Sequence, residues 1–178
     1  SVPRIEPAGG SPFSEDLEWK VSDDQFKKIV AVLRLSVPYT GLILSTRESP
    51  SFRNELFCLG ISQISAESST SLGGYSDSKE TPSTQFAVQD HRTLDEIIQK
   101  LIERGQIPSF CAACYRKDRT GEAFMSLARP GTIKGHCSMN ALITLKEYLD
   151  DFASPKARKA GYELIERART TLDAESQN

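Results

Sequence analysis

Apolar residues recur at helical spacing in several stretches of the chain and gather into short runs in two others. Phe26, Ile29, Val30, Leu33 and Val37 mark one buried stripe. Ser22-Asp23-Asp24-Gln25 precedes it as a capping box, and Pro38 ends it. Gly41 to Thr46 is an apolar run with a polar end, which predicts a buried strand delivering Ser45, Thr46 and Arg47 at its C-terminus. Ser49-Pro50 opens a second helix with Phe52, Leu56 and Leu59 inward, and Gly60 closes it. Ile61 to Ser65 predicts a second strand. Strand, helix and strand with short turns make the βαβ unit of a parallel sheet. Val2 to Ile5 reads as the end of an earlier strand, before a loop marked by Pro7, Gly9, Gly10 and Pro12.

Beyond a Ser- and Gly-rich loop from Glu67 to Ser83, the pattern becomes wholly helical. Thr93-Leu94-Asp95-Glu96 is a second capping box, and Leu94, Ile97, Ile98, Leu101 and Ile102 continue an amphipathic helix to Gly105. Cys111 and Cys114 fall in a turn. Gly121 to Leu127 reads as helix, broken at Pro130-Gly131. A further helix follows Cys137, with Leu142, Leu145, Leu149 and Phe152 inward. The last runs from Pro155 to about Leu172, with Leu164, Ile165, Ala168 and Leu172 inward. The pattern predicts an α/β domain over 1–105 and a small all-helical domain over 106–178.

Composition narrows the function classes. The 178 residues are 38% hydrophobic and 26% charged, with a net charge of −2, which fits a globular domain and offers no basic surface for nucleic acid or lipid. No apolar run approaches the roughly 20 residues that span a bilayer, and no signal peptide opens the chain. Four cysteines, three of them in one pattern, fit a reducing cytoplasm better than a disulfide scaffold. The absence of an initiator Met before Ser1 is expected of a fragment or a processed product.

The cysteines form C-x2-C-x22-C, with Cys111, Cys114 and Cys137. Two thiols separated by two residues can share one metal or cluster, and the third must return in space. Three sulfurs leave one position of a four-ligand site open. Spacing alone leaves a disulfide with a spare thiol, a redox pair, zinc and iron–sulfur all open. His136 could complete a zinc set, although neighbouring side chains diverge. Cys58 reads as a buried small hydrophobe and His91 as solvated.

The strings Ser1-Val2-Pro3-Arg4, Leu44-Ser45-Thr46-Arg47-Glu48, Gln63-Ile64-Ser65-Ala66 and Gly73-Gly74-Tyr75 resemble the last third of a radical S-adenosylmethionine aromatic amino-acid lyase. The thiamine-pathway tyrosine lyase shares that part. The tail does not follow it: Phe110 to Arg116, Arg119-Thr120-Gly121, Phe124-Met125, Cys137, and Asn140-Ala141-Leu142 leading into Leu145 to Leu149. That tail resembles the HydG family of FeFe-hydrogenase maturases, and the resemblance covers nearly the whole chain.

The resemblance implies the last strands and helices of a radical S-adenosylmethionine (βα) barrel, followed by a helical iron–sulfur domain. It implies an N-terminal C-x3-C-x2-C motif for a 4Fe–4S cluster and S-adenosylmethionine. The present sequence has no such motif, so that site is expected upstream of Ser1. Cys111, Cys114 and Cys137 would hold a second, auxiliary 4Fe–4S cluster associated with an additional iron, whose histidine matches neither His91 nor His136. The implied activity splits tyrosine into p-cresol and dehydroglycine, and turns the small fragment into CO and cyanide on iron for the hydrogenase. Arg47 reads as a surface arginine or as a clamp on the substrate carboxylate, and the resemblance favours the clamp. Ser45 and Gln63 are candidates for the same pocket. Arg4 either faces cofactor or substrate or forms a salt bridge. Tyr115 and Arg116 either tune the cluster or, for Tyr115, fill core.

Expected partners are tyrosine, S-adenosylmethionine, the N-terminal remainder of the barrel and other hydrogenase maturation proteins, without nucleic acid or membrane. The alternatives are a 2-iminoacetate-forming lyase of thiamine synthesis and a non-catalytic iron–sulfur or zinc carrier module.

Overall fold

The computed structural model describes residues 3–5, 10–71, 87–111 and 121–175, with side chains in the last helix described through residue 171. Two compact units divide the chain, Ser1–Thr93 and Leu94–Asn178.

The first unit carries the short helix α1 (Pro12–Glu15), α2 (Asp23–Ser36), strand β1 (Ile43–Leu44), α3 (Pro50–Leu56) with a tighter turn over Phe57–Leu59, and strand β2 (Gln63–Ile64). The expected capping box opens α2: Ser22 Oγ accepts from the Gln25 amide, and the Gln25 side chain accepts from the Ser22 amide. β1 and β2 pair in parallel, Ile43 opposite Gln63 and Leu44 opposite Ile64, with α3 as the crossover. The βαβ unit read from the sequence is therefore present. Pro3 to Ile5 form no strand, and α1 occupies the stretch read as loop.

Phe26 and Val30 of α2, Leu42, Leu44, and Phe52, Leu56 and Phe57 around α3 form this unit's core. The Phe26 and Phe52 rings lie 5.9 Å apart and tilted. Side chains alternate along residues 42–48, as a strand requires. Leu42, Leu44, Thr46 and Glu48 are buried, whereas Ile43, Ser45 and Arg47 point the other way. The run read as a buried strand is buried on one face, and Ile43 is 39% exposed.

Arg34 joins two turns. Its Nε and Nη2 donate to the Gly60 carbonyl at 2.9 and 2.6 Å, and its Nη1 donates to the Pro38 and Thr40 carbonyls. Gly60 has φ +95, and a Cβ there would meet Arg34 Cγ at 2.7 Å. The turn therefore needs glycine on both conformational and steric grounds.

The second unit contains α4 (Leu94–Glu103), α5 (Gly121–Ala128), α6 (Ile133–Asp151) and α7 (Pro155–Glu175). Ile98 and Ile102 of α4 enter one buried cluster with Leu142, Leu145, Tyr148 and Leu149 of α6 and Ala157, Leu164 and Ile165 of α7. The packing division thus falls before α4, where the sequence pattern placed it near Gly105. The reason is that α4 buries its apolar stripe against helices that follow it. Tyr148 Oη donates to Asp95 Oδ1 at 3.0 Å, and the Ser154 amide donates to the same oxygen. Arg158 donates to the Leu149 and Asp150 carbonyls and satisfies the end of α6.

Further local expectations change: Ile29 and Val37, read into the buried stripe of α2, are 38% and 41% exposed. Cys137 lies inside α6, which begins at Ile133. Phe152 is 76% exposed, because α6 stops at Asp151 and Ala153 takes the inward place. Cys58 is exposed, and Phe57 is buried instead.

Candidate functional site

The parallel pair brings three of the candidate substrate residues to one face. Partners in a parallel ladder project to the same side, so Gln63 shares the side of Ile43, and with it that of Ser45 and Arg47. The Gln63 amide oxygen lies 3.3 Å from where a Cβ on Gly41 would stand, so this strand entrance stays narrow. The Arg47 amide donates to Ser45 Oγ at 3.4 Å, and Arg47 Nη1 donates to the Arg4 carbonyl at 3.3 Å. An arginine, a serine and a glutamine thus line one open strand face. These groups can offer paired N–H donors to a carboxylate and neutral donors and acceptors beside it.

Among the described residues, Arg4 meets this face through its backbone carbonyl. Its guanidinium pairs with Glu48 and, at 2.7 Å, with Asp23, and donates to the Val21 carbonyl. It lies about 5 Å from the Phe26 and Phe52 ring centres. Hydrogen bonding to Glu48 raises its pKa above the ordinary arginine value, against the pull of burial. Of the two readings of Arg4, the described contacts are those of the salt bridge.

Beneath the open face lies an ion cluster that the sequence reading missed. Arg53 of α3 is fully buried and pairs with buried Asp90, and it also donates to the Ser65 carbonyl at the end of β2. Arg92 holds Asp90 through Nε and Nη2 at 2.9 and 2.6 Å, and its amide donates to Asp90 Oδ1. The Gln89 and Asp90 amides donate to the Thr46 carbonyl. The cluster therefore ties the C-terminal ends of both strands to the segment after the Ser-rich loop. Burial pushes the Asp90 carboxyl up, but hydrogen bonds from Arg92 and Arg53 outweigh it and hold the pKa at about 2. Burial pulls the Arg53 guanidinium down, with Asp90 opposing. The signal available in the sequence was an arginine three and four residues before Leu56 and Phe57, on the inward side of its helix.

The thiol candidates belong to the second unit. Cys111 and Cys137 are both exposed. Cys114, Tyr115 and Arg116 lie outside the described residues, as does Gly73-Gly74-Tyr75. Among the described residues no three Cys, His, Asp or Glu side chains group as a metal site. The Cys111 amide donates to Ser109 Oγ, and the neighbouring Phe110 amide donates to Thr144 Oγ1 of α6, both at 3.3 Å. The Phe110 ring stacks on Tyr148 at 4.9 Å. Cys111 is thus anchored against the helix that bears Cys137. The donors fit an iron–sulfur cluster chemically: soft sulfur, exposed to an incoming cluster, on a braced support. No described helix is long and apolar enough to cross a membrane.

Comparisons with known proteins bear on the family and the fold. Residues 1–107 match the Biotin and Thiamin Synthesis associated domain. The 2-iminoacetate synthases of Escherichia coli (strain K12) and Salmonella typhimurium are each 33% identical over 108 residues, covering 61% of this chain and 28% of theirs. The crystal structure of HydG, a maturase of the [FeFe]-hydrogenase, is 43% identical with a TM-score of 0.84, covering 99% of this chain and 40% of that one. The chain thus spans well under half the length of these relatives. It belongs to the Biotin and Thiamin Synthesis associated domain family, and over nearly all its length it is built like HydG.

Proposed function

We propose that this chain is part of a radical S-adenosylmethionine tyrosine lyase of the HydG type. That lyase cleaves tyrosine to p-cresol and dehydroglycine, and converts the latter to CO and cyanide on iron for the FeFe-hydrogenase. The observation that carries this reading is the extent of the likeness. The family match ends at residue 107, but the likeness to HydG continues through the helical unit that bears Cys111 and Cys137. The 2-iminoacetate synthases match over 108 residues, which keeps a plain tyrosine lyase as the second reading.

In this reading residues 1–105 supply strands and helices of the barrel, and residues 106–178 form an auxiliary-cluster domain. Arg47 holds the tyrosine carboxylate by paired N–H donors, and Ser45 and Gln63 orient the rest of the polar end. Arg4 supports Arg47 through its carbonyl. The Arg53–Asp90 pair holds the strand ends fixed, so the donors need little rearrangement when substrate arrives. Cys111, Cys114 and Cys137 would hold the auxiliary 4Fe–4S cluster. When bound, that cluster offers an iron site open to small exogenous ligands. The remaining partners are S-adenosylmethionine with its own cluster, the rest of the barrel and other hydrogenase maturation proteins, in the cytoplasm.

The test separates the two sites in the intact protein. Arg47→Ala is expected to lower p-cresol and CO together, at least about tenfold, from loss of a charge-assisted contact. Cys111→Ser and Cys137→Ala are expected to keep p-cresol formation and to abolish iron-bound CO and cyanide. Circular dichroism first establishes that each variant is folded. Cysteine variants that lose p-cresol as fully as Arg47→Ala would overturn the two-site division. Cysteine variants that keep iron-bound CO would overturn the role of these thiols, and an unaltered protein that forms p-cresol without iron-bound CO or cyanide would return the plain lyase reading.

A further inference from the structure

We infer that Thr144 is a positioning residue for the cluster thiolates, acting through Ser109 to set Cys111 against the helix that carries Cys137. The inference rests on the cluster reading above and adds a residue outside the C-x2-C-x22-C pattern.

Cys137 and Thr144 stand seven residues apart on α6, two helical turns, and so share one line of the helix. Tyr148, a further turn along, lies on nearly the same line. At about 1.5 Å per residue, Thr144 sits roughly 10 Å along the axis from Cys137. Thr144 Oγ1 accepts from the Phe110 amide at 3.3 Å and lies 3.5 Å from Ser109 Oγ. Ser109 Oγ in turn accepts from the Cys111 amide. The Thr144 hydroxyl donates to the carbonyl of Asn140 at 3.0 Å or Ala141 at 3.3 Å.

One proton arrangement satisfies the whole relay. The Cys111 amide donates to Ser109, Ser109 donates to Thr144, and Thr144 donates to the helix backbone. The Phe110 ring on Tyr148 fixes the other side of the same residue. Three successive residues, Ser109 to Cys111, are therefore bound directly or through one hydroxyl to a single threonine. A cluster demands thiolates held within about 0.5 Å, and groups beyond the ligands commonly supply that precision. Tyr148 and Leu145 already secure α6 in the core, so the Thr144 contacts with residues 109–110 are not needed to form the helix.

The test uses Thr144→Val, which keeps the shape and removes the hydroxyl, Thr144→Ser, which restores it, and Ser109→Ala, which breaks the relay away from the helix. Each is reconstituted anaerobically in the intact protein with iron and sulfide, alongside Cys137→Ala as the ligand-loss control. The readouts are iron release to a chelator, the electron paramagnetic resonance signal of the auxiliary cluster, and the melting temperature.

Thr144→Val and Ser109→Ala are expected to release auxiliary-cluster iron about tenfold faster, with an altered signal and a nearly unchanged melting temperature. Thr144→Ser is expected to behave as the unaltered protein. Iron release from Thr144→Val at the unaltered rate overturns the inference, as does a loss that Thr144→Ser fails to rescue. An unaltered protein whose iron uptake is the same as that of Cys137→Ala overturns the cluster reading itself.

Discussion

Leu149 of α6 and Gly161 of α7 touch so closely that no methyl group fits between them. A Cβ on Gly161 would stand 2.5 Å from Leu149 Cδ1 and 2.6 Å from Cδ2. Leu149 is fully buried among Leu145, Leu164 and their neighbours, so its tip has nowhere to retreat. Glycine normally weakens a helix interior by up to about 1 kcal/mol relative to alanine. Here it lets the Leu149 side chain rest directly on the backbone of α7.

Gly161→Ala is therefore expected to destabilise the second unit by about 1–3 kcal/mol despite its better helix propensity. Urea unfolding followed by circular dichroism measures it. Adding Leu149→Ala makes space at the crossing, and in that background the cost of Gly161→Ala should fall by more than about 0.5 kcal/mol. An additive pair would remove the steric account.

Asp90→Asn leaves Arg53 buried beside a neutral amide. Breaking a buried pair from one side strands the other charge, which costs about 3–5 kcal/mol. The first unit should show this loss in denaturant unfolding. A change below about 1 kcal/mol would mean that water or another carboxylate takes over the role of Asp90.

The same carboxylate sets an acid limit. Its folded pKa of about 2 is depressed from the ordinary 3.8, so it contributes stability above the unfolded value and loses it as pH falls through the folded one. The shift corresponds to about 2 kcal/mol, present above roughly pH 4 and gone near pH 2. A urea midpoint measured from pH 7 down to pH 2 should fall across that window, and Asp90→Asn should flatten the fall. Equal slopes in both proteins would count against Asp90 as the source.

The parts of the fold that local rules govern were legible in the sequence. The Ser22–Gln25 box marked the start of α2 because both bonds lie within four residues. The βαβ order followed from two short apolar runs around a proline-started helix. The misreadings have a shared cause in packing between distant segments. Nothing near Phe152 says that its helix stops one residue earlier and hands the inward place to Ala153. Ile43 sits in an apolar run, but which face is covered depends on α2 and α3. Gly135 and His136 are weak helix material, yet α6 starts before them. The candidate residues Ser45, Arg47 and Gln63 were read from strand ends, and their common face comes from the parallel register. Arg53, Asp90 and Thr144 were not found, because the contacts that join Arg53 to Asp90 and Ser65 and Thr144 to Phe110 span between 12 and 37 positions in sequence.

Helix α4 answers to two histories at once. The family match runs through residue 107, yet Ile98 and Ile102 rest on helices that come after it. Any exchange of cysteine-bearing tails between relatives must take α4 along, or must recut its apolar side to suit new neighbours. A lineage that shed the tail outright would leave Leu94, Ile98, Ile102 and Ile107 bare to water, so loss of the tail and redesign of that helix have to occur together.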